Sequence, residues 1–76
     1  MNKLKMKKAL REILNGQYFD CTQYQDKYYL SKEILEMFPE LDEVSVYEAI
    51  DYAGKNADTS KKINKFIDAF IEKVVS

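Results

Sequence analysis

Seven carboxylates crowd one stretch of this chain: Glu33, Glu36, Glu40, Asp42, Glu43, Glu48 and Asp51, with Tyr47 and Tyr52 beside them. Carboxylates that share a site can move protons on a substrate or hold a hard cation. The sequence argues against both uses. There is no histidine, which removes the imidazole base, the histidine-dependent nucleophiles and the usual zinc ligand sets. A calcium loop would order its acids as D-x-[DN]-x-[DN]-G, and no such run occurs. The two glycines, Gly16 and Gly54, stand too far apart to form a phosphate-cradling loop. We therefore expect no catalysis, no metal and no cofactor. What remains is a charged surface that is either a solvated exterior or a docking face for a basic protein partner. In the second case unlike charge steers the encounter, and Tyr47 and Tyr52 act as aromatic anchors. The expected function is non-enzymatic binding or regulation by stoichiometric contact, of the inhibitor or adaptor type.

Charge of the opposite sign gathers at the N-terminus. Lys3, Lys5, Lys7, Lys8 and Arg11 against Glu12 leave residues 1–16 at +4, whereas residues 17–57 stand at −6 and the whole chain at −1. Those five bases could follow a phosphate backbone, so the alternative is a nucleic-acid-associated, helix-turn-helix-like regulator that uses this basic patch. The stretch SKEILEMFPELDEVSVYEAI, residues 31–50, has the outline of such a reader. Its second segment, SVYEAIDYAGKN, offers Glu48 and Asp51 with no base before Lys55, where base edges and phosphates call for Arg, Lys, Asn or Gln. The connection FPELDEVS also exceeds the three- or four-residue turn of that motif and lacks its glycine. The protein-binding reading is preferred.

Seventy-six residues, 46% of them apolar, suit one domain spanning 1–76. No apolar run approaches the roughly 18 residues of a bilayer span, so no membrane contact is expected. The basic N-terminus is interrupted by charge too often to continue as a signal peptide. Cys21 stands alone, which suits a reducing compartment and a cytoplasmic protein.

Apolar residues three and four apart share a helix face, and this spacing recurs along the chain. Leu4 or Met6, Leu10, Ile13 and Leu14 predict a helix over Asn2–Asn15, closed by Gly16 in a left-handed cap. Residues 17–30 favour a short helix, with Asp20 as cap and Gln23 reaching back to it, over a β-hairpin, for which aromatic residues partly alternate but no other segment offers a strand. Tyr24, Tyr28 and Tyr29 in this segment suit either the core edge or an exposed patch. Ser31 is expected to cap a helix bearing Ile34, Leu35 and Phe38 that ends at Pro39. Ser45 and Glu48 form a second capping box, and Gly54 closes that helix. The last helix carries Ile63, Phe66, Ile67, Phe70, Ile71 and Val74 inward, after several possible caps in NADTS. The expected fold is all-α, a small compact bundle of four to five short helices. Val74 and Val75 extend the last stripe, so a homodimer is possible.

The pentapeptide NADTS, Asn56–Ser60, resembles a stretch of the helical immunity proteins that inhibit nuclease colicins, a likeness that would imply an acidic four-helix domain capping a basic enzyme. The Tyr-Tyr-Pro element of those proteins is absent, because Tyr28-Tyr29 is followed by Leu30. VYEAIDYA is similar to a stretch of acyl carrier proteins but lacks their Asp-Ser-Leu. No family is assigned on five or eight residues.

Overall fold

Asn2, four residues from Met6 and eight from Leu10, starts the first element: its side-chain oxygen accepts from the N–H groups of Leu4 and Lys5 at 2.9 and 3.2 Å. Two of the free donors at the helix start are thereby satisfied. In the computed structural model, which describes Asn2–Val75, this is α1, Lys3–Leu14. Three more helices follow: α2, Tyr24–Met37; α3, Glu43–Asn56; and α4, Ile63–Val75. No strand occurs among the described residues. The protein is a small all-α bundle, with four helices among the described residues.

Each helix packs on its neighbours in sequence, and α1 packs on α4, so the four close into a ring with separated diagonals. The α3–α4 contact is the most extensive and α1–α2 the least. The core is the set of inward stripes: Met6, Leu10 and Leu14 from α1, Leu30 and Ile34 from α2, Val46 and Ile50 from α3, and Phe66 and Phe70 from α4. Phe38 joins this core from the α2–α3 connection. The apolar spacing thus places most of the α1 and α4 stripes, whereas on α2 Leu30 joins Ile34 and Leu35 is only half-buried.

The helix boundaries differ from the expected ones in three places. α2 is one helix of 14 residues, with Ser31 buried in its middle and not at its start. Neither Gly nor Pro interrupts the chain between Asp20 and Pro39, so nothing breaks the first turn from the next. Of residues 17–30, the stretch 24–30 is helical as the first part of α2, and residues 17–23 form neither helix nor hairpin. Asp20 instead holds the turn before α2, accepting from Thr22 N–H and Oγ1 at 3.1 and 2.6 Å. Asp26, in the first turn of α2, accepts from the Asp20 N–H at 2.7 Å, the reach-back that a capping box at Asp20 would have given to Gln23. At α3 the cap is Asp42, which accepts from Ser45 N–H at 2.9 Å, so Ser45 is the capped residue and not the cap. Asp58 plays the corresponding part in the turn before α4, accepting from Ser60 N–H at 2.7 Å.

Gly16 closes α1 as expected, with φ at +73°, a conformation side chains resist. Gly54 has another purpose. It lies inside α3, three residues after Asp51, and a Cβ built there would stand 2.5 Å from Cys21 Cβ. Only glycine lets the 17–23 segment lie so close against α3. Alanine ordinarily improves a helix by about 1 kcal/mol over glycine. Gly54→Ala is nevertheless expected to lower stability by about 1 kcal/mol, because overpacking costs about 1–3 kcal/mol and the clashing atom is one that no rotamer can move. A urea melt of Gly54→Ala, compared with the same change in a Cys21→Gly background, measures that coupling.

Candidate functional site

The most distinctive surface lies between α2 and α3. Tyr24 and Tyr28 are four residues apart on α2 and therefore share a face. Their rings stack with centroids 6.3 Å apart and planes 15° from parallel. Tyr47 of α3 leans against Tyr24 at 5.9 Å, and Tyr29 meets the edge of Tyr28 at 5.9 Å. Tyr24, Tyr28 and Tyr47 wall a groove of ≈ 510 Å³ whose other lining residues are Ser31, Lys32 and Leu35 from α2 and Glu43, Val44 and Glu48 from α3. Tyr24 is 69% and Val44 63% exposed, although both are largely apolar. Of the two readings left open for Tyr24, Tyr28 and Tyr29, the exposed patch is the one realised.

Lysines sit over several of these rings. The Lys27 ammonium stands 5.1 Å from the centre of Tyr47, and that of Lys32 5.6 Å from Tyr28. Ring faces carry negative charge density, so they attract cations. Lys27 also donates to Asp51 at 3.1 Å across the α2–α3 seam, and Lys55 pairs with the other oxygen at 3.2 Å. Hydrogen bonds from Lys27 and then Lys55 hold the Asp51 carboxyl below its ordinary 3.8, and the bond to Asp51 holds the Lys27 ammonium above its ordinary 10.5.

Those shifts set a pH dependence. The Asp51 carboxyl binds its proton less tightly when folded, so its contribution is present above pH 3.8 and fades as pH falls through the lower folded value. Lys27 acts oppositely: its contribution is complete below pH 10.5 and is lost as pH rises beyond it. Asp51→Asn should therefore cost stability of about 0.5–1 kcal/mol at pH 7 and almost nothing at pH 2, the scale of a partly exposed pair. Thermal melts of both proteins at the two pH values measure the difference.

The expected site residues are not all brought together. Glu43 and Glu48 line the groove, and Asp51 lies beside it through Lys27. Glu40 and Asp42 are exposed in the connection between the helices, and Asp42 is committed to capping α3. Glu33 and Glu36 are exposed on α2 but stand away from the groove. Glu33 is two positions from Leu35, about 200° around the helix, whereas Glu36 follows Lys32 by one turn but is not among the residues that line the groove. The seven acids thus divide among the groove, with Glu43 and Glu48 lining it and Asp51 beside it, the connection with Glu40 and Asp42, and the exposed surface of α2 with Glu33 and Glu36. The two anchors separate as well: Tyr47 lies in the groove, whereas Tyr52 lies under Lys73 of α4, 5.7 Å from its ring centre. Sequence reading placed Tyr24, Tyr28 and Tyr29 in a candidate patch but did not join them to Tyr47 and Val44.

The basic patch is less uniform than its sequence. Lys3, Lys5, Lys8 and Arg11 are exposed on α1, but Lys7 pairs with Asp68 of α4 at 3.1 Å. Leu4, within this patch, is 77% exposed. At the other end of the last stripe, Phe70 and Ile71 are buried and Val74 half-buried. Only Val75 of that set remains exposed, which leaves little apolar area for a dimer there.

Cys21 is half-buried against the core. Burial, reinforced by Asp20, pushes its thiol up to about 11, so it is protonated and a weak nucleophile at neutral pH. Among the described residues no three Cys, Asp or Glu side chains converge as a metal site, and no helix is long and apolar enough to cross a membrane.

Fold and surface together define a small helical bundle that displays a tyrosine-lined groove with a carboxylate rim. No protein-family model matches the chain, and no curated protein or solved structure shows significant similarity to it.

Proposed function

We propose that this protein acts without catalysis, as an inhibitor or adaptor that binds another protein stoichiometrically through its α2–α3 surface. The observation that carries this reading is the union of Tyr24, Tyr28, Tyr47 and Val44 with Glu43 and Glu48 in one groove. Apolar and aromatic area left in water at such a place gains free energy when a partner covers it. Carboxylates on the rim speed the approach of a cationic surface and reject an anionic one. The groove also favours protein over nucleic acid, because Glu43 and Glu48 line it and would repel phosphate.

The test uses the full chain and a triple variant, Glu40→Lys, Glu43→Lys and Glu48→Lys. Asp42 is kept, because its loss would weaken α3 for reasons unrelated to binding. Affinity capture from the native host, followed by size-exclusion chromatography, should give a one-to-one complex with the original protein and none with the variant. An equal yield of the same complex from both would end the proposal.

A second reading rests on the exposed bases Lys3, Lys5, Lys8 and Arg11 of α1: association with nucleic acid. It requires a fluorescent duplex to bind at about 50 mM salt with a steep loss of affinity as salt rises. Lys5→Glu with Lys8→Glu would abolish that binding, and the α2–α3 variant would not.

A further inference from the structure

We propose that the α2–α3 groove takes a cationic segment of a partner protein in which an arginine stands next to an apolar side chain. The inference rests on the docking reading above and names the chemistry of its occupant.

Three features of the groove select that chemistry. Its volume, ≈ 510 Å³, falls within the range of about 300–1,000 Å³ typical of side-chain and ligand clefts. Leu35 and Val44 provide an apolar strip, and Val44 is largely exposed. An aliphatic side chain laid there removes apolar surface from water on both partners. Beside that strip, the tyrosine faces are receptive to cations: Lys27 and Lys32 already stand over Tyr47 and Tyr28 at 5.1 and 5.6 Å.

Tyr24 is the most exposed ring of the cluster, and Glu43 and Glu48 line the same groove. A flat guanidinium can stack on that ring while its N–H edge donates to a carboxylate. An ammonium can do only the second of these well, and it is more strongly hydrated. Arginine is thus favoured over lysine. Phosphate is disfavoured, since it would meet Glu43 and Glu48 without a compensating base other than Lys32.

The probe is a defined peptide, acetyl-Gly-Leu-Arg-Gly-Leu-Arg-Gly-amide, titrated into the 15N-labelled full chain. Two controls replace both arginines, by citrulline in one peptide and by glutamate in the other. Citrulline keeps the shape and loses the charge. The arginine peptide should give saturable shifts centred on Tyr24, Leu35, Val44 and Tyr47, with the citrulline peptide about tenfold weaker. The glutamate peptide should give none. Glu43→Gln with Glu48→Gln should bring the arginine peptide to the affinity of the citrulline one and leave the latter unchanged. Both replaced side chains are exposed, so folding is retained, and circular dichroism checks it.

Equal affinity for arginine and citrulline peptides, shifts centred on other residues, or no saturable shift at millimolar peptide would overturn the assignment. So would probe-free shifts at these residues on raising protein concentration, which would give the groove to a second copy of the chain. The same shifts produced by a DNA duplex would also overturn it. If the triple lysine variant loses its captured partner while the arginine and citrulline peptides bind alike, the docking surface stands and only the arginine assignment fails.

Discussion

Replacing Phe66 with alanine lowers the unfolding free energy by about 3–5 kcal/mol. The side chain is fully buried on α4, the helix that takes part in the most extensive helix–helix contact of the bundle. Truncation removes the ring from an apolar site and leaves a cavity that rigid helices fill only in part. A 76-residue domain has on the order of 4–11 kcal/mol to lose, so the variant sits close to its unfolding midpoint in mild urea. Equilibrium urea unfolding followed at 222 nm should show a large fall in midpoint with an unchanged slope. Tyr24→Ala is the contrast. That ring is more than two-thirds exposed, so its removal should move stability by no more than about 0.5 kcal/mol. A large loss from Tyr24→Ala would mean that the tyrosine cluster holds the fold together and is not a surface kept for a partner.

Thr59→Val should cost about 2 kcal/mol, although the two side chains have nearly the same shape. Thr59 is 3% exposed and exchanges two hydrogen bonds with one backbone residue. Its Oγ1 accepts from the Phe19 N–H at 3.1 Å and donates to the Phe19 carbonyl at 3.0 Å. These bonds join the α1–α2 segment to the α3–α4 segment across 40 positions of sequence. Valine leaves a donor and an acceptor in a part-buried place, and each unmet group costs about 1–3 kcal/mol. Thr59→Ser keeps the hydroxyl and should retain most of the stability. Hydrogen exchange adds a local readout, because the Phe19 amide should lose protection in Thr59→Val and keep it in Thr59→Ser. Similar melting of the valine and serine variants would show that the methyl group, and not the paired bonds, holds the two segments together.

How far such features can be read from sequence depends on whether the residues involved are near neighbours in the chain. Capping shows where the limit falls. Asn2, Asp42 and Asp58 accept from donors two or three residues away, yet only Asp58, within NADTS, was among the expected caps. Ser31 and Ser45 were expected caps as well, and both proved to be interior to helices. A serine offers a cap, but the burial of Leu30 and Ile34 on one continuous stripe decides whether the helix starts there. Gly54 shows the same limit in reverse. By local rules it is a helix end, yet its purpose is room for Cys21, which lies 33 positions earlier and reaches it only through the fold.

The groove divides in the same manner. Tyr24 and Tyr28 were predictable as neighbours from their spacing of four. Their meeting with Tyr47, and the separation of Tyr47 from Tyr52, depend on how α3 rotates against α2. Glu33 and Glu36 look continuous with Glu43 and Glu48 in the chain, but the helical turn sends them elsewhere.

The amino-acid sequence by itself determined the helical class, most of the α1 and α4 stripes, the left-handed close of α1 and the uneven charge along the chain. It could do so because spacing, glycine geometry and formal charge are properties of neighbours. The tertiary structure alone decided which tyrosines form one wall, which carboxylates stand beside them and why Gly54 has no side chain. Those outcomes arise from the packing of one helix against another, where contact between distant residues is set by burying all four stripes at once.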